Sequence, residues 1–453
     1  MKFGDLKFLR HRIFFTLLGP FSARRRAERM AAFEKELGLK PGTRVLDLGG
    51  EPEIWASVKT PLNVTLLNLP GNDAPGLPET IHSLETVEGD GCQVDAFASR
   101  SFDVLFSNST IELGNADFGY VKGVVWGDFN NDGRQDLYIS ILGRDNLLLR
   151  NDGGRARPGP HGETWTFTNV AAAAGVSGPL DSFSTWFWDF DNDGWEDLYV
   201  AGYRITDLGD LAAMHLGLPT RTRMPRLYRN NRDGTFSDVT HAMRLDRLAL
   251  PMGSNFGDLD NDGWPDAYIG DGEPALGALI PNRLFRNAEG RVFQDVTLSA
   301  DVGNLQKGHG VAFGDIDNDG DQDILEEMGG WFESDMAPAV LFENPGHGNH
   351  WITLRLAGRR SNRSALGARI KVRVTTPSGP RDIYTVCGAG GSFGGNSLQQ
   401  EIGLGAASGI EAIEVRWPAG QTQTYHDVVM DRIYRIVEGE TAPAPVQQRV
   451  IPF

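Results

Sequence analysis

Cysteine is scarce in this chain: Cys92 and Cys387 are the only two among 453 residues. That excludes the disulfide framework of a small secreted domain and leaves the redox compartment open. Long apolar runs are missing too. The run near the start, Ile13–Leu18, is too short to span a bilayer, and its arginine-rich flanks without a small-residue cleavage site make a poor secretory leader. Positive charge is in deficit, with 43 Lys and Arg against 60 Asp and Glu and a net charge of −17. A phosphate backbone is therefore not the expected partner. The basic Arg24-Arg-Arg26 run reads as a solvated helix face. A chain of this length is expected to hold two or three domains.

What is abundant is one nine-residue loop, present four times. The copies are Asp128-Phe-Asn-Asn-Asp-Gly-Arg-Gln-Asp136, Asp189-Phe-Asp-Asn-Asp-Gly-Trp-Glu-Asp197, Asp258-Leu-Asp-Asn-Asp-Gly-Trp-Pro-Asp266 and Asp315-Ile-Asp-Asn-Asp-Gly-Asp-Gln-Asp323. Oxygen-bearing side chains recur at positions one, three, five and nine, and glycine at six. A hard cation such as calcium takes about six to eight oxygens, which alternate carboxylates around one centre supply. So many carboxylates so close together repel one another unless a cation lies between them. The ligand set expected is Asp128, Asn130, Asp132 and Asp136; Asp189, Asp191, Asp193 and Asp197; Asp258, Asp260, Asp262 and Asp266; Asp315, Asp317, Asp319 and Asp323. The backbone carbonyls of Arg134, Trp195, Trp264 and Asp321 join them at position seven, for about four calcium ions in all. Asn130 gives the first loop one charge fewer, so it is expected to be the weakest site. EF-hands are excluded, because only one copy has the required glutamate at position twelve, Glu326, where the others have Ile139, Val200 and Ile269, and the flanks read as strands rather than helices.

The loops begin at 128, 189, 258 and 315, and other elements keep the same register. Asn146–Asn151, Arg226–Asn230, Asn282–Asn287 and Val340–Asn344 each read as a strand ending in a polar turn. Phe167-Thr-Asn-Val170, Phe236-Ser-Asp-Val-Thr240 and Phe293-Gln-Asp-Val-Thr297 follow the first three of these. About four short strands per unit is the content of a propeller blade. On these motifs the chain resembles the FG-GAP/VCBS repeats also found in integrin α-subunits. The resemblance implies a structural role for the loop aspartates and no catalytic residues.

Further on come Asn349-His-Trp-Ile-Thr-Leu-Arg-Leu356, Ser361–Val372, Gly391-Ser-Phe-Gly-Gly-Asn-Ser397 and Ile413-Glu-Val-Arg-Trp-Pro-Ala-Gly420. This succession resembles the ASPIC/UnbV domain of bacterial proteins and cartilage acidic protein. Alternation of Ile370, Val372 and Val374, and of Ile413, Val415 and Trp417, reads as half-buried strands, with one face and Trp417 expected against the last blade. Gly390–Gly394 spells a nucleophile elbow but lies in a loop between β-segments, where no strand-to-helix turn is available. His347 and His350 read as surface residues.

Residues 1–113 follow another pattern. A helical stretch around Arg24–Leu37 precedes the strand and glycine turn Thr43-Arg-Val-Leu-Asp-Leu-Gly-Gly50. Val64–Asn68, Val87–Cys92 and Phe102–Glu112 complete a series that resembles class I S-adenosylmethionine-dependent methyltransferases. The resemblance implies cofactor contacts from Asp47, Gly49, Asp90 and Asn108, at the carboxyl ends of parallel strands. Glu51 and Glu53 stand where further glycines are usual, Asn68 replaces the acid that grips the ribose, and the pattern stops at Leu113.

The expected architecture is mainly β. A truncated, Rossmann-like α/β segment (1–113) precedes four propeller-type blades (114–345), an ASPIC/UnbV-like β-domain (346–440) and a disordered tail (441–453). The expected function is a non-catalytic, calcium-binding scaffold for a protein or glycan partner, with no nucleic-acid partner and no transmembrane segment. The alternative is an S-adenosylmethionine-dependent methyltransferase fused to calcium-binding repeats. The repeat type implies an extracellular or periplasmic setting, the front end a cytoplasmic one.

Overall fold

The computed structural model describes residues 30, 34–35, 39–48, 55, 58–68, 83–88, 104–107, 120–156, 163–204, 208–216, 218, 222–271, 280–329, 337–447 and 450. The chain divides into two compact units, residues 1–117 with 155–164, and residues 118–154 with 165–453.

In the first unit, Arg44–Leu48, Asn63–Asn68, Ser83–Glu88 and Val104–Ser107 form a four-stranded sheet. Numbered in chain order, the strands lie 3-2-1-4 and every pair is parallel. Val45 and Val64 pair side by side and pack with Met30, Trp55, Val58 and Leu62. The third strand, Ser83–Glu88, holds the first two residues of the Val87–Cys92 segment, and the rest of that segment lies outside the described residues. Asp47 lies on the first strand, paired with Leu66 and Phe106. Gly49, Asp90 and Asn108, like Glu51, Glu53 and Cys92, lie outside the described residues.

The second unit begins with four antiparallel sheets that follow the sequence repeats. The first three have four strands each: Tyr120–Gly127, Asp136–Leu142, Leu147–Ala156 and Glu163–Asn169; Ser182–Trp188, Asp197–Gly202, Arg226–Asn230 and Phe236–Asp238; Pro251–Gly257, Asp266–Asp271, Arg283–Asn287 and Phe293–Asp295. Among the described residues the fourth repeat has three, Gly308–Gly314, Asp323–Met328 and Val340–Phe342, where about four were expected.

The cores lie between successive sheets. Tyr138 and Leu148 of repeat one meet Phe187, Leu198 and Val200 of repeat two. Trp186, Trp188 and Tyr199 meet Ile269, Phe285 and Phe293 of repeat three. Tyr268 and Leu284 meet Val311, Phe313 and Ile324 of repeat four. A sheet packed on both faces reads as a continuous apolar run rather than an alternating one. Accordingly the second strands of repeats two and three are buried at every residue, whereas that of repeat four exposes Leu325 and Glu327. Trp186 stacks on Tyr199 at 4.2 Å and Trp188 on Phe293 at 5.5 Å; such pairs add about 0.5–1.5 kcal/mol beyond their burial.

The C-terminal domain is two further sheets around one core. Gln400–Gly405, His350–Ala357, Ile433–Val437 and Ala444–Val446 form one; Gly379–Val386, Arg369–Thr376, Gly409–Arg416 and Thr422–Tyr425 form the other. Ala444–Val446 pairs with Ile433–Arg435, so ordered structure runs into the segment expected as a disordered tail. Trp417 is buried, but among Ile352, Ile370, Val415 and Ile436 of its own domain, not against the last repeat. Its two sheets face each other, so the alternating residues of Arg369–Thr376 and Gly409–Arg416 fill that interior.

A glycine-rich loop of this domain lies across the first strands of all four repeats. Gly123 of repeat one leaves room for Ser392, since a Cβ there would stand 2.8 Å from its Oγ. Thr185 donates its N–H to Ser392 Oγ at 3.2 Å, and Gly391 donates to Asn255 Oδ1 at 2.8 Å. Val311 donates to Phe393 O at 3.2 Å, and Phe313 to Asn396 Oδ1 at 2.9 Å. At Gly394 (φ +96) a Cβ would collide with the Val311 backbone, so glycine is required there both for the left-handed conformation and for the close approach. This is the segment that spells a nucleophile elbow, and it serves as an inter-domain contact.

Candidate metal centres in the repeat loops

Each loop turns between the first and second strands of its sheet, flanked by strands as the sequence implies. The turn is made by side chains and backbone of the loop itself. The first aspartate accepts two backbone N–H groups, from positions five and six. In loop two, Asp189 accepts from Asp193 at 2.9 Å and Gly194 at 2.7 Å; Asp128, Asp258 and Asp315 do the same within 3.1 Å. The fifth accepts from position seven: Arg134, Trp195, Trp264 and Asp321 donate to Asp132, Asp193, Asp262 and Asp319 at 2.9–3.0 Å. The ninth accepts from an asparagine in or just beyond the third strand: Asn151, Asn230, Asn287 and Asn344 donate their backbone N–H to Asp136, Asp197, Asp266 and Asp323 at 2.7–2.9 Å.

Glycine at position six has φ between +84 and +100, as its spacing implies. Position four is also left-handed, with φ from +51 to +65 at Asn131, Asn192, Asn261 and Asn318. Asparagine tolerates that region better than most side chains. Its amide has a second role that sequence reasoning missed. Asn131, Asn192 and Asn261 donate to the glycine-six carbonyl of the next loop, Gly194, Gly263 and Gly320, at 2.7–3.2 Å. In return Asn230, Asn287 and Asn344 donate to the position-two carbonyl of the preceding loop, Phe129, Phe190 and Leu259, at 2.7–2.9 Å. The signal was present as the same asparagines in every copy, but its target lies one repeat away.

Carboxylates converge where the sequence places them. Asp189, Asp191 and Asp197 bring one oxygen each within 4.8 Å of one another, as do Asp258, Asp260 and Asp262, and Asp315, Asp317 and Asp319. Among the described residues loop one forms no such group; its third position is Asn130, which donates to Asp132 at 2.9 Å. Burial, reinforced by neighbouring aspartates, pushes Asp136 up to about 7 and Asp191 to about 6. Burial first and Glu401 second push Asp315 up to about 7. Asp189, Asp197, Asp258 and Asp266 rise well above the usual carboxylate range, again mainly through burial. Among the described residues Asp191 Oδ1 is buried with no hydrogen-bond partner. An unpartnered carboxylate oxygen amid like charge suits a cation, so the donor set fits a hard divalent ion.

Arginines offset part of this charge in three loops. Arg134 reaches Asp132, Arg232 lies 2.6 Å from Asp193, and Arg286 spans Asp260 and Asp262, the latter at 2.8 Å. Loop four has no arginine pair among the described residues, and the counterpart of Arg286 there is Glu343. The sequence reading omitted Arg232 and Arg286, which come from the third strand or just beyond it.

The C-terminal domain rests on the loops. Arg369 donates to Asp128 O at 3.2 Å, Tyr384 N to Asn192 Oδ1 at 3.0 Å, Arg381 to Asp262 O at 2.7 Å and Asn349 to Asp260 O at 2.7 Å. Glu196 and Gln322, at position eight, accept the first N–H of the preceding loop, from Asp128 and Asp258, at 2.7 and 2.8 Å. Loop four has no following repeat, and Glu401 of the C-terminal domain accepts from Asp315 N at 3.3 Å instead. A cavity of about 1000 Å³ remains between the domains, lined by Trp188, Phe256, Arg369, Cys387 and Glu401 among others.

Two segments match known families: residues 189–269 an FG-GAP-like repeat, and residues 358–443 ASPIC and UnbV. No family match supports the methyltransferase resemblance of the N-terminal segment. No curated protein matches the chain. The chain thus contains an FG-GAP-like repeat region and an ASPIC/UnbV domain in a mainly β structure. Among the described residues no helix is long and apolar enough to cross a membrane.

Proposed function

We propose that the second unit is a non-catalytic interaction scaffold whose four loops bind calcium, in a propeller-type arrangement of sheets. The observation that carries this is the set of three aspartate groups, each within 4.8 Å, built by loops of one design. The aspartates at positions one, three, five and nine hold the ion, with Asn130 in place of one carboxylate, and the carbonyls of Arg134, Trp195, Trp264 and Asp321 complete the oxygen set. A bound cation supplies the positive charge that these carboxylates lack. The loop residues do the rest: the N–H groups of positions five, six and seven fix the carboxylates before binding, and the asparagine pairs tie each loop to its neighbour. Calcium sites of modest affinity fill where calcium is millimolar, which favours an extracellular or periplasmic setting. The partner is a protein or glycan.

Metal analysis of the purified chain, together with melting curves in calcium, magnesium and chelator, tests this. Calcium should be retained, chelator should lower the melting temperature, and magnesium should rescue poorly because it demands a tighter octahedron. A calcium-free chain whose melting curve ignores chelator overturns the reading.

One observation supports a second reading for the first unit. Its parallel 3-2-1-4 strand order is compatible with half of a doubly wound sheet, with Asp47 near the end of its central strand. We infer that it does not bind S-adenosylmethionine usefully; a micromolar dissociation constant abolished by Asp47→Ala in calorimetry would restore the methyltransferase alternative.

A further inference from the structure

The third strand of each repeat has an outer edge, and in repeats one to three the chain itself covers it. In repeat two, Tyr228, Arg229 and Asn230 pair with Asp238, Ser237 and Phe236. The same register joins Phe285, Arg286 and Asn287 to Asp295, Gln294 and Phe293 in repeat three. Two more bonds finish the edge. Leu227 donates its N–H to Thr240 Oγ1 at 2.9 Å and accepts from Val239 N at 2.9 Å; Leu284 donates to Thr297 Oγ1 at 3.0 Å and accepts from Val296 N at 3.0 Å. Asp238 and Asp295 hold those threonines in place. Phe236 and Phe293 pack on the second residue of the preceding loop, Phe129 and Phe190, with ring centroids 5.9 and 6.2 Å apart.

Repeat four makes the third strand and then stops. After Val340–Phe342 the chain passes directly into the C-terminal domain at His350, and among the described residues nothing pairs with that outer edge. The leucines on this strand report the sheet's face and not its edge: Leu148, Leu227 and Leu284 are buried against the following sheet, whereas Leu341, like its neighbour Leu325, is exposed. By the register of repeats two and three, the outward N–H and C=O groups belong to Leu341 and Glu343. An exposed edge of this kind is a template for another strand.

We propose that the outer edge of Val340–Phe342 is a docking site for an extended segment of a partner protein. That segment has the pattern aromatic-X-Asp-Val-Thr and adds antiparallel as the missing fourth strand. The chemistry of the partner is dictated twice within the chain. Its valine N–H meets Leu341 O, its threonine hydroxyl accepts from Leu341 N, its aspartate fixes that threonine, and its aromatic ring stands beside Leu259, the counterpart of Phe129 and Phe190. This specifies a protein partner for the scaffold reading, but it rests on strand pairing and not on the metal.

The probe is a labelled peptide copying Arg291–Ser299, titrated into the full-length chain in calcium and followed by anisotropy and by amide hydrogen exchange. Saturable binding that protects the amides of Leu341 and Glu343 is expected. N-methylation of the peptide valine that copies Val296 should weaken binding about tenfold, the equivalent of one good hydrogen bond, without touching the protein. Leu341→Pro, which removes an outward N–H, should do the same. The proposal is overturned by absence of saturable binding, by binding indifferent to N-methylation, or by a Leu341 amide already protected without peptide. Metal content measured on the same sample separates the two ideas, since a chain that holds calcium but ignores the peptide refutes only this one.

Discussion

Replacing Asp191 by asparagine should change the stability of this protein in opposite directions with and without calcium. The side chain is half-buried in loop two, one of its oxygens has no hydrogen-bond partner among the described residues, and Asp189 and Asp197 share its group. With calcium in hundredfold excess over its dissociation constant, an intact site stabilises the fold by about 2.7 kcal/mol. Losing it should lower the melting temperature by roughly 5–11 °C for a unit of this size, at about 2–4 °C per kcal/mol. Without calcium the sign reverses. Burial, with Asp193 second, raises the Asp191 carboxyl to about 6, above its unfolded value. Ionising it in the fold therefore costs stability that is absent below the unfolded value and grows as pH rises through about 6. The shift of about two units, discounted by half or more for solvent, is on the order of 1 kcal/mol. A neutral amide carries no such cost, so the Asp191→Asn variant should match or exceed the parent in chelator above neutral pH. Paired thermal melts of both proteins, in calcium and in chelator, make the measurement. Equal destabilisation in both buffers would mean that Asp191 acts through a structural hydrogen bond, and the charge argument would fail.

Arg286→Ala should tighten calcium binding at loop three while lowering stability in chelator, because Arg286 is the cation that already spans Asp260 and Asp262; site-resolved titration with unchanged affinity would count against it. Glu326 is buried against Tyr268 and raised by burial to about 7. Its penalty develops as pH rises from the unfolded value to about 7, so Glu326→Gln should raise the urea midpoint at pH 8, by the equivalent of about 2–3 kcal/mol, and leave it unchanged at pH 4; a pH-independent effect would refute this. Trp417→Ala should cost about 3–5 kcal/mol in denaturant titration through the C-terminal core, and a loss under about 0.5 kcal/mol would place the ring outside that core.

The loops were legible because their constraint is local. Glycine at six and oxygens on alternate residues follow from one turn and one charge distribution, and four copies made the pattern unmistakable. The strands flanking them were legible for the same reason, as short β-branched and aromatic runs between turn residues. What escaped depends on partners distant in sequence. Asn192 looks like one more turn residue until Gly263, in the next repeat, is brought to its amide. Arg286 looks like a solvated strand residue until the sheet sets it across Asp260 and Asp262. Trp417 lies in the core of its own domain and not on the last repeat, because alternation shows that a strand has a buried face but not what lies on it. Likewise Gly390–Gly394 has a spelling with two uses, and only Val311 and Asn255 at contact distance show that here the glycines admit a neighbouring backbone.

The asparagine pairs bear on whether the four loops act singly. Loop i donates to loop i+1 through Asn131, Asn192 and Asn261, and the third strand of i+1 donates back through Asn230, Asn287 and Asn344. A linear array joined only in this way couples nearest neighbours, and a defect in loop two would reach loops one and three but fade before loop four. The C-terminal domain changes that geometry. Through Arg369 it holds loop one, through Tyr384 loop two, through Arg381 and Asn349 loop three, and through Glu401 loop four. The C-terminal domain thus touches all four loops, so on the calcium reading proposed above a metal removed from any one of them is expected to be felt through contacts shared with the rest. Glu401 makes the point most directly. It takes the position that Glu196 and Gln322 fill in the repeats, so the C-terminal domain completes the array at the end where no fifth repeat follows.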